Sequence, residues 1–488
     1  MPETAPVATA MTDGHLSSSG DGGVEKPRLK REIGLWLATA LVIGNMIGSG
    51  IFLLPSALAA AAGPVSIVAW VFTGVGALLL AFVFARLGGA FPRTGGPYAY
   101  ARRAFGDFVG FQTAWGYWIA AWAGNAAIAV AFVGYLAVFW PQLGTNNLLA
   151  ALVGIALIWL LTVVNILGVR EGAWLQGITT VLKFVPLAAI AVVGLFFVHG
   201  SNYTPFAPQG TWSAISAAAP LTLWAFIGLE SATVVAEEVK DPKRNIPRAT
   251  MYGTLVTTVV YILGTVAIMG IVPRGELATS SSPFALAAGT AFGGSWDKVI
   301  ALVALVATFG CLNGWTMLTA RVPLAAAEDG IFPKWFAHVE GKRRTPVFGL
   351  VVSSVLVSGL MLMNYTKGLV DAFTFVLLLA TLTTLIPYAY SAAAQAYLYI
   401  TEPELFEKKK FVRDTVIASL AFAYSVWAIT GSGKDIIAKG FVLLLAGIPV
   451  YVFVRWQRHR EGFPVAPEGA NGAALLTPAE APRPAEVP

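Results

Sequence analysis

Charge is scarce in this chain: acidic and basic residues make up 12% of its 488 residues, about half the share of an ordinary soluble domain. With 57% hydrophobic residues and a mean hydropathy of +0.71, that shortage excludes a water-soluble globular protein. Cysteine is scarcer still. The single Cys311 rules out an internal disulfide, and its apolar neighbours make it a packing residue. The four histidines, at positions 15, 199, 338 and 459, show no metal-ligand spacing. No metal or cofactor is expected. Ionisable groups inside the apolar stretches are chiefly Lys183 and Glu230, too few for the nucleophile, base or ligand cluster of a membrane enzyme. Repeated rings of polar residues, as a channel would need, are missing too. The sequence pI of 9.3 points to no nucleic-acid partner, because the basic residues flank apolar runs instead of forming a patch.

What the chain does hold is long apolar runs. Twelve can be drawn, at 34–61, 66–87, 107–139, 148–168, 174–198, 213–236, 249–272, 298–323, 347–363, 370–397, 412–430 and 439–455. Each approaches the length that crosses a bilayer. We number them spans 1 to 12. No small-residue cleavage site follows the first, so it reads as a span and not a removable leader. Residues 1–32 are polar and Gly/Ser-rich, and residues 456–488 are rich in Pro, Ala and Glu. Both are expected to be disordered cytoplasmic tails around a transmembrane domain at 33–455.

The basic residues test this layout. With both tails on one side, the opposite side receives only Arg274, Lys298, Lys367, Lys434 and Lys439. Lys183 lies inside span 5, and every other Lys and Arg falls on the tail side. The positive-inside rule then places both termini in the cytoplasm of a multi-pass protein in the cell membrane.

Two spans are interrupted. Span 1 carries Gly48-Ser49-Gly50 at its centre, a poor helix-forming tripeptide at mid-depth. Span 6 carries Gly228 followed by Glu230, a carboxylate that is costly in a bilayer unless it faces a polar cavity. Unwound backbone at that depth is tolerated where protein, water or a ligand satisfies it. Discontinuous helices at the midplane are where transporters hold substrates. The two breaks sit at matching positions in spans 1–5 and 6–10, as an inverted repeat would place them.

Four stretches carry a family resemblance: Asn45-Met46-Ile47-Gly48-Ser49-Gly50-Ile51-Phe52-Leu53-Leu54-Pro55, the Thr94–Gly106 segment, Leu223–Ala232 and Lys240–Pro247. Over roughly 33–455 the chain resembles the amino acid–polyamine–organocation (APC) superfamily, and within it the basic amino acid/polyamine antiporters. The resemblance implies an all-α integral membrane fold of the leucine-transporter (LeuT) type. That fold has twelve transmembrane helices: a 5+5 inverted repeat with broken helices 1 and 6, plus two C-terminal helices. It implies secondary active transport of amino acids or polyamines by alternating access, through cationic exchange or proton-coupled uptake. A proton-coupled symporter of neutral amino acids is the alternative. Self-association into a homodimer is left open.

Residue roles follow from the same resemblance. Asn45, Met46, Ile47, Gly48, Ser49 and Gly50 would contact the substrate, and the N–H groups freed from Ile47 to Gly50 would take its carboxylate, helped by the helix dipole. Carbonyls freed from Trp224 to Ile227 would take its ammonium. Trp315 matches a stacking tryptophan, suited to a guanidinium or amine. Trp224 matches an outer gate and Asn125 a polar contact of span 3. Ile128, Ala225 and Ala380 complete the implied pocket, and the alanines at 121, 225 and 380 make it less polar than in those antiporters. Glu230, with Tyr117 and Tyr388 beside it, would read cationic substrates or couple to protons. Lys183 departs from the nearest relatives. Exchanging and proton-coupled permeases of the superfamily carry a lysine in span 5, where it stands in for sodium beside spans 1 and 8.

Overall fold

The computed structural model describes residues 31, 33–93, 95–167, 173–208, 210–340, 345–364 and 366–461. The chain is helical almost throughout. In a hydrocarbon medium each backbone N–H and C=O must find its partner within the protein, and a helix supplies it locally. Span 1 becomes two helices, α1 (Leu35–Met46) and α2 (Ser49–Ala61). Spans 2 to 5 are α3 (Ser66–Ala90), α4 (Pro97–Leu136), α5 (Asn147–Ile166) and α6 (Ala173–Val193). Span 6 divides into α7 (Thr211–Trp224) and a short α8 (Ser231–Val234). Then come α9 (Pro242–Ile271), α10 (Pro283–Phe292), α11 (Trp296–Glu328) and α12 (Val347–Met363). Last are α13 (Leu369–Thr401), α14 (Phe411–Thr430), α15 (Lys434–Leu445) and α16 (Gly447–Arg460).

Among the described residues, 10 helical stretches are long and apolar enough to cross a membrane. Broken span 6 is not among them, nor is α12, which is shorter than those 10. Several features differ from the sequence expectation. The α4 helix starts at Pro97 instead of 107, because a left-handed Gly106 (φ 84°) bends the chain and lets a first helical segment precede the span. An unexpected helix, α10, lies in the connection between spans 7 and 8. Span 12 kinks at Ala446, three residues before Pro449, whose ring and missing N–H disrupt the ladder. Its second half runs to Arg460, past the expected start of a tail at 456. The expected disorder of 1–32 and of 462–488 falls outside the described residues, apart from Arg31.

Small residues let the helices approach closely, as membrane packing favours. A Cβ on Gly253 of α9 would lie 2.6 Å from Val42 of α1, and one on Gly74 of α3 2.7 Å from Thr258 of α9. Outward faces are apolar: Phe196, Met363 and Val412 are exposed with no core to cover them. At the end that carries the tails, ion pairs join distant elements. Arg102 pairs with Asp107 at 2.8 Å and Asp329 at 3.0 Å, and Arg455 of α16 reaches Asp107 at 3.0 Å. The segment before α1 is strapped to the chain after α8: the Ile33 N–H donates to the Glu238 carbonyl at 3.1 Å, and Lys240 N–H to that of Ile33 at 2.9 Å.

Candidate functional site

The break in span 1 is two residues long. Helix α1 ends at Met46, Ile47 turns out of the helix (ψ 90°), and Gly48 (φ −135°, ψ −138°) leads into α2. One carbonyl freed by the break is answered from outside: Met46 accepts from the Tyr261 hydroxyl at 2.8 Å. The first N–H groups of α2, from Ser49 to Ile51, have no intrahelical acceptor and carry the positive end of the helix dipole. In span 6 the helix gives way after Trp224 to a chain of tight turns, with i→i−3 bonds from Ala225 to Thr222, Ile227 to Trp224 and Ser231 to Gly228. Gly228 supplies the positive φ (110°) that reverses the path.

The two breaks lie against each other. A Cβ at Gly50 would meet the Ala225 Cα at 2.9 Å, and one at Gly228 would meet the Asn45 backbone at 3.0 Å. The Asn45 amide donates to Ser231 Oγ at 2.7 Å, fastening α1 to α8. Gly48 faces α11 instead, where its missing Cβ leaves room for the Cys311 thiol.

Beside the breaks is a small cavity lined by Tyr117, Ala120, Gly124, Trp224, Ile227, Trp315 and Thr384. Of the residues expected to bind substrate, Trp224, Ile227 and Trp315 line it, as does Tyr117, expected beside the pathway; Asn45, Met46, Ile47, Gly48, Ser49 and Gly50 are not in the lining. Asn125, Ile128, Ala225 and Ala380 are buried behind the lining. Asn125 turns toward α11, donating from its amide to Thr319 Oγ1 at 3.1 Å, while its Oδ1 has no hydrogen-bond partner. Ala120, Gly124 and Thr384 were missed from the sequence. Their signal was spacing: 117, 120 and 124 follow one face of α4, and Thr384 lies one turn before Tyr388 on α13.

Glu230 is fully buried, and its carboxylate has three donors. The Tyr117 hydroxyl donates to Oε1 at 2.6 Å, the Tyr388 hydroxyl to Oε2 at 2.5 Å, and the Gly228 N–H to Oε2 at 3.0 Å. The carboxylate therefore stands behind Tyr117, which separates it from the cavity. Lys183 is 1% exposed and lies against α11, where a Cβ on Gly310 would come 3.8 Å from its Nζ. One turn earlier, Thr180 donates to the Ala40 carbonyl of α1 at 3.1 Å. The lysine thus faces α11, on a helix that Thr180 ties to α1. Among the described residues, no cluster of His, Cys, Asp and Glu could hold a metal ion.

A family model described as amino acid permease matches residues 33–454. The chain belongs to the amino acid permeases of the APC superfamily. Curated relatives agree. This permease is 35% identical to the putative arginine/ornithine antiporter of Bacillus subtilis (strain 168), across 88% of this chain and 98% of that protein. It is 39% identical to the cadaverine/lysine antiporter of Escherichia coli (strain K12), across 74% of this chain and 82% of the relative. It is 35% identical to the putrescine transporter PotE of Haemophilus influenzae, across 87% and 98% of the two chains. Among solved structures it is similar in fold to the manganese transporter of Eremococcus coleocola. That match has a TM-score of 0.57 at 12% identity and covers 87% of this chain and 95% of the other. The last likeness concerns the fold alone.

Proposed function

We propose that this permease exchanges cationic amino acids or diamines across the membrane by alternating access. The observation that carries the reading is Glu230, a buried carboxylate at the break of span 6, one side chain away from the cavity. Such a charge is costly in a membrane unless a cation or a polar network answers it. The indole of Trp315 offers a face to an amine or guanidinium. The N–H groups that open α2 offer a cradle for a carboxylate, which an amino acid has and a diamine lacks. The named relatives handle arginine, ornithine, cadaverine, lysine and putrescine, which supports the cationic class. They do not favour symport of neutral amino acids, the alternative raised by the sequence.

In the same reading the chain has twelve spans, with spans 1–5 and 6–10 forming an inverted LeuT-type repeat and spans 11 and 12 at the periphery. The matching breaks and the joined ends of α1 and α8 support it. Both termini face the cytoplasm, on the distribution of Lys and Arg. Lys183 couples protons to the cycle. Counterflow in liposomes tests the whole proposal. Labelled lysine or putrescine should accumulate only when unlabelled cationic substrate is trapped inside. Equal accumulation driven by trapped leucine or alanine would overturn the cationic assignment.

Contact between the breaks gives a second test. Gly50→Ala would place a methyl 2.9 Å from the Ala225 backbone, so the two breaks must separate. Overpacking of this kind costs about 1–3 kcal/mol. Calorimetric titration of the purified protein should show substrate affinity lowered by roughly tenfold or more. Wild-type affinity in the variant would move the binding site away from this junction.

A further inference from the structure

Trp224 lies edge-on between two glycines. A Cβ on Gly50 of α2 would approach its Cδ1 at 3.3 Å, and a Cβ on Gly124 of α4 would approach its Cη2 at 2.7 Å. The contact at Gly124 is the more telling. Gly124 sits within a long buried stretch of α4, where glycine is less favourable than alanine by about 1 kcal/mol. Its backbone is ordinary helix, so no left-handed conformation calls for it. The three heavy atoms nearest to its missing Cβ all belong to the Trp224 ring: Cη2 at 2.7 Å, Cζ3 at 3.3 Å and Cζ2 at 3.8 Å. The absence of a side chain at 124 therefore accommodates the indole. Both residues line the cavity.

We propose that Gly124 is the seat of a Trp224 lid, a positioning residue that sets how tightly the cavity closes over its occupant. Trp224 ends α7, where the chain passes into the tight turns of the break, so a change of side-chain rotamer moves the ring while the helix stays in place. When the ring drops into the slot over Gly124, the cavity is closed. With any side chain at 124 the slot is filled and the ring rests outside it. The effect on exchange depends on the transport reading above, whereas the seating of the ring does not.

The experiment uses the full chain with Gly124→Ala, Trp224→Phe and the double variant. A phenylalanine ring is shorter and does not reach the Cη2 position. Gly124→Ala should raise the KM for counterflow of lysine or putrescine roughly tenfold, with the maximal rate unchanged or higher, because release through an unseated lid is faster. The only cysteine of the chain supplies a readout without substrate. Cys311 is 5% exposed beside the span 1 break, and its labelling by a small methanethiosulfonate should speed up several-fold in Gly124→Ala. Adding Trp224→Phe should bring both readouts back toward the wild type, a coupling that independent defects would not show.

Unchanged KM and labelling in Gly124→Ala would overturn the proposal, as would a double variant whose losses simply add. If Gly124→Ala fails to fold, folding of the double variant supports the seat. Failure of both places the need for glycine in α4 itself and overturns it. A wild type with no exchange removes the transport reading, and the labelling series still decides whether Gly124 seats the ring.

Discussion

Replacing Glu230 by Gln is expected to lower uptake of lysine, ornithine or putrescine by roughly 30- to 100-fold, while leaving the protein folded and inserted. The estimate starts from charge. At an effective dielectric near 20, a carboxylate and a substrate cation about 6–8 Å apart attract by about 2–3 kcal/mol. Glutamine keeps the shape and removes that attraction. It also disturbs the hydrogen bonds, because three donors converge on the carboxylate from Tyr117, Tyr388 and Gly228. A carboxamide brings an NH₂ of its own into that ring of donors, so at least one bond must reverse or break. Tyr117, which lines the cavity, would then no longer be held back against Oε1. The discriminating measurement compares cationic with neutral amino acids in the same proteoliposomes. An equal fall for both classes would assign Glu230 to structure and remove the physical basis for cation selection.

How much of this was readable in advance depended on whether backbone or side chains carried the signal. The breaks were legible, because Gly48-Ser49-Gly50 and Gly228 with Glu230 contradict the helical apolar pattern around them. So were Tyr117 and Tyr388, which converge on Glu230 from α4 and α13. Lys183 stood out because it alone among the Lys and Arg residues lies well inside an apolar run, and among the described residues no other Lys or Arg is buried. The lining of the cavity was far less legible. From Gly110 to Val130, α4 is buried around nearly all of its circumference, so hydrophobic periodicity does not tell which face meets the cavity. Asn125 comes into the pocket through the family resemblance alone; its amide donates to Thr319, and Gly124 beside it, which periodicity does not single out, lines the cavity. The bend at Gly106 and the helix α10 were missed for another reason. One rests on a single left-handed glycine and the other on a loop too short to show periodicity.

Replacing Lys183 by Ala is expected to flatten the dependence of uptake on pH and to slow uptake by about tenfold or more. The side chain reaches the face of α11 next to Cys311, and Cys311 in turn fills the space beside Gly48 in the span 1 break. Its own helix is tied to α1 through Thr180 and the Ala40 carbonyl. A unit charge at this junction acts on α1, which is fastened to α8 at Asn45 and, through the strap at Ile33, to the chain beyond it. In the proposed alternating-access cycle, these joined elements would move when the site opens to the tail side. If gaining or losing one proton at Lys183 changes their two-state equilibrium by about 1.4 kcal/mol, the populations shift tenfold. Alanine removes both the charge and its titration. Arginine separates the two, because its guanidinium stays protonated throughout the accessible pH range. Lys183→Arg should therefore lose the pH dependence as alanine does, but retain more of the rate. The measurement is uptake into proteoliposomes from pH 5 to 8, with and without trapped substrate. A wild-type pH profile in both variants would leave Lys183 as a strut between α1 and α11. Any proton coupling would then rest elsewhere, with Glu230 the next buried group to test.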